Sequence, residues 1–235
     1  MQRHFRALAK LTLSLRVTGV RDDGYHLIDA EMVTLDLADS LTFDEGDGLA
    51  GLEVIGADLP PDDLVTRAMR AVGRQARIRL DKRIPMGAGL GGGSADAAAV
   101  LRWAGRADAD VALALGADVP FCLVGGRARV RGVGEIVDPL PFVDAVYTLL
   151  TPPLHVSTPA VYRAWDGLGG LTADGPNDLE AAALVVEPRL AEWRDRLGDA
   201  TGLTPVLAGS GGTWFVQGGH PEVDGAVVTR TDRPS

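Results

Sequence analysis

The stretch PMGAGLGGGSADAAAVL, Pro85–Leu101, places five glycines within seven positions and then continues directly into an alanine-rich segment. Glycine costs conformational entropy in regular structure, so a glycine cluster marks backbone that adopts positive φ or approaches another group closely. The bare N–H groups of such a loop, followed by a helix N-terminus, can hold an anion such as phosphate. The stretch therefore predicts a phosphate-binding loop and a helix over residues 95–106, with Ser94 as the N-cap or as a phosphate ligand.

Two other interpretations of this loop fit the sequence less well. A flexible linker would not be expected between an apolar strand and a helix, and it would be richer in Ser, Pro and charged residues. The spacing Gly87-x-Gly89-x-x-Gly92 matches the dinucleotide fingerprint, but that fingerprint follows a strand directly, whereas DKRIPM intervenes here. The Gly-Lys-Ser/Thr ending of a Walker loop is also missing, so general phosphate binding is the favoured function.

The composition narrows the class of protein. The chain has 235 residues, of which 46% are hydrophobic and 23% charged, and it is long enough for one large domain or two packed lobes. The net charge of −9 argues against binding nucleic acid or an anionic membrane. Since the single cysteine cannot form an internal disulfide and MQRHFRALAKLTLSLRV lacks the apolar core of a signal peptide, we expect a cytoplasmic protein.

Lysine is rare in this chain, where 23 basic residues include only Lys10 and Lys82 as lysines. A lysine retained among so many arginines is a weak candidate for a function that needs a compact charge instead of a planar guanidinium. Apolar and polar residues alternate from residue 5 to residue 17, which predicts a half-buried strand. Its polar face would carry Lys10, Thr12 and Ser14 together.

The rest of the chain mixes strand and helix patterns without strict βαβ alternation, which predicts an α+β fold. Predicted strands lie at 51–56, 76–80, 145–150 and 225–231, with two further strands within 27–45, a strand pair through 121–132, and a strand–turn–strand at 204–218. Predicted helices lie within 59–75, 111–115 and 157–165, and over 177–197 with an interruption near Pro188.

The glycine stretch resembles the second signature of the GHMP kinases, the small-molecule kinases named for galactose, homoserine, mevalonate and phosphomevalonate. Within that superfamily the likeness is strongest to the kinases of non-mevalonate isoprenoid precursor biosynthesis. It extends along most of the chain, through ALAKLTLSLRVTGVRDDGYH, DKRIPMGAGLGGGSADAA, LGADVPFCLVGGRARVRGVGE, STPAVYRAW, NDLE and LAGSGGTWF. The resemblance implies a two-lobe α+β fold with the active site in the cleft between an N-terminal lobe, 1–143, and a C-terminal lobe, 144–235.

The resemblance also implies a reaction, the ATP-dependent phosphorylation of the 2-hydroxyl of 4-diphosphocytidyl-2-C-methyl-D-erythritol. Asp118, in the GADVP turn, would deprotonate or orient the acceptor hydroxyl, and Lys10 would lie beside it. Taken singly, these residues would be an ordinary turn residue and a solvated strand charge; their joint occurrence in matching motifs favours catalysis. The implied ATP-binding residues are Pro85, Met86, Gly87, Gly89, Leu90, Gly91, Gly92, Gly93 and Ser94, with Asp63 near the adenine.

A cytidine site is implied by an aromatic set. Tyr25 and His26 would stack on and hydrogen-bond the base, and Tyr162 would supply a second aromatic face, although plain core packing explains Tyr162 almost equally well. Thr12 and Thr158 are implied as further substrate-binding residues. Gly209, Ser210 and Gly211 resemble the third family motif, whose glycines line the cleft near the phosphates; a tight hairpin turn is the simpler alternative.

ATP and Mg²⁺ are the implied cofactors, with Mg²⁺ held mainly through the ATP phosphates and no dedicated metal site on the protein. Asp178, Glu180 and Glu135 are accordingly interpreted as helix-start and turn residues. The implied partner is a small molecule that carries a cytidine diphosphate group, and neither nucleic acid nor a membrane is expected. The protein would be a monomer or a homodimer.

Thr12 and Asp63 stand where the family usually has Asn, so two alternatives stay open. The chain could be a GHMP kinase for another small alcohol, or a catalytically impaired nucleotide-binding relative. Retention of both Lys10 and Asp118 favours an active kinase.

Overall fold

The computed structural model describes residues 1–46, 50–106 and 108–233. The first part of the chain forms β1 (Gln2–Val20), β2 (His26–Asp44), β3 (Gly51–Ile55), α1 (Leu64–Val72), β4 (Arg77–Asp81), α2 (Gly92–Trp103), α3 (Ala109–Leu115), α4 (Val119–Val124), β5 (Arg127–Gly132) and β6 (Ile136–Leu140). The second part forms β7 (Val146–Leu150), α5 (Thr158–Gly167), α6 (Glu180–Val186), α7 (Leu190–Thr201), β8 (Val206–Leu207), β9 (Trp214–Gln217) and β10 (Val227–Arg230).

These strands form two sheets. In the six-stranded sheet the order is β3-β4-β2-β5-β6, and β1 pairs along the other side of β2. Its pairs are antiparallel except β3 with β4, which is parallel. The four-stranded sheet has the order β10-β7-β9-β8 and is antiparallel. The predicted α+β class is therefore confirmed.

Buried apolar side chains form three clusters around these sheets. One joins helices α1–α4 to the six-stranded sheet around Phe43 and Trp103. Another lies between the two sheets and includes Leu11 and Tyr147, and a third joins α5–α7 to both sheets around Trp214. Each large side chain that is fully buried contributes about 1.5–3 kcal/mol. Because two of the clusters contain residues from both sheets, the two sheets are packed against each other.

Three element predictions are wrong. Residues 27–45 form most of one long strand instead of two, because β2 continues from its pairing with β5 into its pairing with β4. The FCLV segment is helical, in α4, whose first turn contains Pro120. Helix α2 begins at Gly92 with Gly91 as the N-cap at φ 68°, so Ser94 lies inside the first turn and is not the cap.

The predicted polar face of β1 is also wrong at one position. Thr12 pairs with Met32, and Ser14 pairs with Glu31. Because these two partners are consecutive on β2, Leu13 is an extra residue on β1 between the two pairs. Such a β-bulge moves the following side chains to the opposite face of the strand. As a result Leu15, and not Ser14, joins Lys10 and Thr12 on the wall of one cavity.

Candidate active site

Two cavities meet at the glycine stretch. The first, the loop cavity, has a volume of about 290 Å³ and is lined by Pro85–Ser94 together with Asp63, Lys82 and Asp96. The second, the aromatic cavity, has a volume of about 510 Å³ and lies between β1, β2, the start of α4, helix α5 and the turn at Gly209. Ser94 lines both cavities, so a group bound along the loop and a group bound in the aromatic cavity would meet there.

The glycines of the loop allow close contact between backbone segments. Gly89 has φ +76°, and a Cβ on it would lie 2.7 Å from the carbonyl oxygens of both Ala208 and Gly211. A Cβ on Gly91, at φ +68°, would lie 2.7 Å from the Cγ of Lys10. The loop therefore packs directly against the second glycine turn on one side and against the Lys10 side chain on the other.

Asp63 begins helix α1 at the rim of the loop cavity. Its Oδ1 accepts hydrogen bonds from the backbone N–H of Val65 at 2.8 Å and of Thr66 at 3.1 Å, and its Oδ2 accepts from the Thr66 hydroxyl at 2.6 Å. Asp and Asn are comparable N-caps. The Asp in place of the family's usual Asn thus preserves the start of this helix.

Lys10 and Asp118 form an ion pair on the wall of the aromatic cavity. The Lys10 Nζ lies 3.4 Å from Asp118 Oδ2 and donates to the Thr12 hydroxyl at 3.0 Å. The Lys10 side chain is only 6% exposed, whereas Asp118, at the N-terminus of α4, is 34% exposed. The pair therefore presents an accessible carboxylate next to a desolvated ammonium group.

The aromatic residues cluster at the other side of the same cavity. The rings of His26 and Tyr162 stack at 4.6 Å with an interplanar angle of 31°, and Trp165 packs against His26 with its centroid 5.7 Å away. Tyr25 is 62% exposed, with the Arg21 guanidinium 5.5 Å from its ring centroid. All of these residues except Arg21 and Trp165 line the cavity.

Tyr162 lies both at the wall of the aromatic cavity and against the apolar core, the two positions that the sequence left open for it. It lines the aromatic cavity and also packs against the cluster that joins α5–α7 to the sheets. Burial and, to a smaller extent, the nearby Asp118 carboxylate raise the pKa of its phenol. Core packing and a contact with a bound base are therefore compatible roles for this residue.

The second glycine turn closes the aromatic cavity beside Lys10. Gly209 and Ser210 line the cavity together with Thr158, and the hydroxyls of Thr158 and Ser210 are 2.8 Å apart. Gly211 lines neither cavity; it contacts the loop through its carbonyl. Asn177, the one asparagine in the sequence, donates from Nδ2 to the carbonyl oxygens of Leu207 at 2.8 Å and Gly209 at 2.7 Å, and so holds this turn.

Sequence analysis missed a buried charged cluster behind the loop, although the rarity of Lys82 was a signal for it. The Lys82 ammonium pairs with Asp39 and with Asp96 Oδ2, the latter at 2.8 Å. Burial raises the pKa of Asp96 to about 7, although the charge of Lys82 opposes this shift. Burial alone would lower the pKa of Lys82, but the two carboxylates outweigh it and raise the pKa. The cluster ties β2, the segment entering the loop and helix α2 together.

Two further residues of the aromatic cavity were also missed, Arg163 and Asp166. Arg163 is exposed, and in the described part of the chain it makes no ion pair or side-chain hydrogen bond. Asp166 Oδ1 lies 2.8 Å from His26 Nε2. Both residues follow Tyr162 on helix α5, and Asp166, four residues after Tyr162, lies on the same face of the helix.

Of the three acidic residues interpreted as structural, two accept hydrogen bonds from the backbone and one lies at the start of a helix. Asp178 Oδ2 accepts from the Val17 N–H at 2.9 Å, Glu180 lies in the first turn of α6, and Glu135 Oε2 accepts from the Val133 N–H at 2.6 Å. Across residues 1–46, 50–106 and 108–233, no three or more His, Cys, Asp or Glu side chains cluster so that they could hold a metal ion. In the same residues, no helix combines the length and apolarity needed to cross a membrane.

Comparison with known proteins agrees with this arrangement. The family described as the GHMP kinases N terminal domain matches residues 63–126, which include the glycine loop and Asp118. The chain is 43% identical over 237 residues to the 4-diphosphocytidyl-2-C-methyl-D-erythritol kinase of Paracoccus denitrificans (strain Pd 1222), covering 92% of this chain and 86% of the relative. It is 40% identical over 240 residues to the enzyme of the same name from Ruegeria pomeroyi (strain ATCC 700808 / DSM 15171 / DSS-3), covering 89% and 86%.

A solved structure extends this likeness to the fold. The crystal structure of a 4-(cytidine 5'-diphospho)-2C-methyl-D-erythritol kinase superposes with a TM-score of 0.77 at 32% sequence identity, covering 99% of this chain and 100% of that one. The chain belongs to the family of 4-diphosphocytidyl-2-C-methyl-D-erythritol kinases, a branch of the GHMP kinases.

Proposed function

We propose that this protein transfers the γ-phosphoryl group of ATP to the 2-hydroxyl of 4-diphosphocytidyl-2-C-methyl-D-erythritol, in non-mevalonate isoprenoid precursor biosynthesis. The observation that carries the proposal is the meeting of the two cavities at Ser94, with Lys10 and Asp118 on the wall of the aromatic cavity. A nucleotide along the loop and an alcohol in the aromatic cavity would bring phosphorus and hydroxyl together beside this pair. Relatives that carry this enzyme name support the same acceptor.

In this reaction Asp118 accepts the proton of the acceptor hydroxyl. The resulting oxygen attacks the γ-phosphorus, and the bond between that phosphorus and the oxygen that leaves with ADP breaks. Lys10, desolvated and 3.4 Å from Asp118, offsets the negative charge that develops on the transferring group. Phosphoryl transfer depends mainly on such positioning and charge neutralisation.

The loop cavity is proposed as the site of the ATP phosphates. The residues Pro85, Met86, Gly87, Gly89, Leu90, Gly91, Gly92, Gly93 and Ser94 all line it. Helix α2 begins at Gly92, so its free N–H groups and its dipole favour an anion at this end. Mg²⁺, which neutralises phosphate charge, would be held mainly by the phosphates themselves.

The aromatic cavity is proposed as the site of the cytidine diphosphate group. Tyr25, His26 and Tyr162 supply ring faces for the base, and Thr12 and Thr158 supply hydroxyls. Arg163 supplies a positive charge for the diphosphate on a protein whose net charge is −9. The guanidinium is suited to phosphate because it presents paired N–H donors.

We also propose that the two lobes divide near residue 143. The strands of the six-stranded sheet lie before this residue and those of the four-stranded sheet lie after it. Residues from both sides of this boundary line the aromatic cavity, which supports an active site between the lobes.

The reaction can be tested by measuring ATP consumption with a panel of acceptors, namely the cytidyl substrate, mevalonate and homoserine. We expect turnover with the cytidyl substrate alone, and a large loss of that turnover in Asp118→Asn. Preferential turnover of another acceptor would show a GHMP kinase for a different alcohol. Binding of ATP without turnover of any acceptor would show a catalytically impaired relative.

A further inference from the structure

We infer that Asp166 fixes the tautomer of His26 and thereby makes the aromatic cavity select cytosine over uracil. This inference rests on the proposed function, because it concerns how the same site recognises the base of its substrate. Asp166 is a positioning residue in this scheme: it touches His26, and His26 touches the base.

The side chains of His26 and Asp166 are in direct contact. His26 Nε2 lies 2.8 Å from Asp166 Oδ1, a hydrogen-bond distance. An ionised carboxylate can only accept hydrogen bonds, so the proton of this bond belongs to Nε2. In a neutral imidazole the other nitrogen, Nδ1, is then unprotonated and can only accept.

Packing against two aromatic rings holds the His26 ring in place. The His26 side chain is 10% exposed, and its ring lies between the stacked Tyr162 at 4.6 Å and the edge-on Trp165 at 5.7 Å. Turning the ring over would put Cε1 in the place of Nε2 and Cδ2 in the place of Nδ1, and so would break the contact with Asp166. In the described residues Nδ1 has no hydrogen-bond partner, on a ring that lines the cavity.

Cytosine and uracil differ in the hydrogen-bonding group at position 4 of the ring. A cytosine joined to its sugar has a single donor group, the 4-amine, whereas its N3 and O2 only accept. An accepting Nδ1 can therefore bond only to the 4-amine. Uracil in the same position presents the O4 carbonyl to the Nδ1 lone pair, and its one donor, N3–H, could reach Nδ1 only if the base moved out of that position.

The spacing of Tyr162 and Asp166 on helix α5 explains why both contact the His26 ring. Tyr162 and Asp166 are four residues apart on one face of the helix, so one holds the face of the His26 ring and the other holds its Nε2. Other polar groups on α5 do not choose between the bases in this way. Arg163, for example, can only donate, and cytosine and uracil both offer O2 as an acceptor.

The test compares the binding of cytidine diphosphate and uridine diphosphate, titrated separately into the wild type and three variants. Asp166→Ala removes the orienting carboxylate, Asp166→Glu retains one, and Asp195→Ala removes an exposed carboxylate of α7 outside both cavities. Asp166 is 48% exposed, so its truncation leaves the core intact.

In the wild type we expect a preference for cytidine diphosphate of about tenfold or more, the usual effect of one unpaired buried hydrogen-bonding group. Asp166→Ala should reduce this preference to near unity, Asp166→Glu should restore part of it, and Asp195→Ala should match the wild type. The ratio of the two affinities is the readout, because a purely structural disturbance would weaken both nucleotides equally.

The outcomes separate the two proposals. An unchanged preference in Asp166→Ala, or equal binding of the two nucleotides to the wild type, would overturn the role of Asp166 and leave the kinase function standing. If the wild type bound neither nucleotide while ATP still bound, the cytidyl function itself would fail.

Discussion

The backbone N–H of Lys10 donates to the carbonyl oxygen of Leu90 at 3.0 Å, which joins β1 directly to the glycine loop. The same lysine packs its side chain against Gly91 and pairs its ammonium with Asp118. The segment proposed to hold the phosphates and the ammonium proposed to neutralise them are therefore parts of one connected unit. A change in the loop should alter catalysis as well as nucleotide binding.

Gly91→Ala tests this connection. From the sequence, a side chain at Gly91 would be expected to block the phosphates and raise the KM for ATP. In the structure its Cβ would instead lie 2.7 Å from Lys10 Cγ, so we expect a fall in kcat larger than the rise in KM. Gly105→Ala is a matched control, since Gly105 has φ +69° with no atom within 4 Å of an added Cβ. A change confined to KM for ATP would contradict the expectation.

Asp118→Asn should lower kcat by about 10²–10⁴-fold, the usual contribution of a positioned acid–base group. ATP affinity should change little, because Asp118 lines the aromatic cavity and not the loop cavity. Steady-state kinetics and a direct ATP titration together check both parts. Asp110→Asn, in the first turn of α3, is the control, and full activity of Asp118→Asn would remove this carboxylate from the mechanism.

Asp96→Asn should change how stability depends on pH. The pKa of Asp96 is about 7 in the folded protein and 3.8 without the fold, so between these values the unfolded chain has released a proton that the folded protein retains. The free energy of unfolding should therefore decrease as pH rises from about 4 to 7, and the substitution should flatten this slope. Urea titrations at several pH values measure it, with Asp195→Asn as the control. A slope as steep in Asp96→Asn as in the wild type would contradict the assignment.

Tyr162→Ala should weaken the binding of cytidine diphosphate by about 1–3 kcal/mol, the contribution of one base–aromatic stack. It should also lower Tm, because the ring packs against the α5–α7 cluster. Tyr162→Phe should preserve both properties, since stacking and packing need the ring. Titration and a thermal melt of each variant separate the effects: a lower Tm with unchanged nucleotide affinity would restrict Tyr162 to the core.

Arg163→Gln should weaken cytidine diphosphate by about tenfold or more, the usual effect of losing a hydrogen bond to a charged group, and cytidine much less. The difference arises because only the diphosphate carries the negative charge that the guanidinium meets. Arg79→Gln, which removes an exposed arginine of β4 outside both cavities, is the control. Equal weakening of the nucleoside and its diphosphate would argue against a phosphate contact.

Local patterns in the sequence predicted the features that depend on neighbouring residues. The glycine loop, the helix after it and the break near Pro188 all follow from composition and spacing over a few positions. Lys10 and Asp118 are 108 residues apart, and composition and periodicity do not pair them. Their joint occurrence in matching family motifs suggested the pair, and the fold places their charged groups 3.4 Å apart.

Features that depend on distant contacts could not be predicted in this way. Asp39 and Lys82 are 43 residues apart, and their pairing follows from the register of β2 with β4. Position 89 has no room for a side chain because the carbonyl groups of Ala208 and Gly211 lie against it, and these residues approach Gly89 only in the folded chain. The FCLV segment is apolar enough for a strand, and its helical state follows from the turn that precedes it.

The bulge at Leu13 is a point where β1 can lose a residue without changing which side chains face the cavity. Leu13 is half-buried and lines neither cavity, so many residues could replace it. Removing it would leave Thr12 followed directly by Ser14, with Ser14 still opposite Glu31 and Leu15 still opposite Ala30, so Leu15 would stay at the cavity wall. Libraries of variants should therefore tolerate both substitutions and a single-residue deletion at this position.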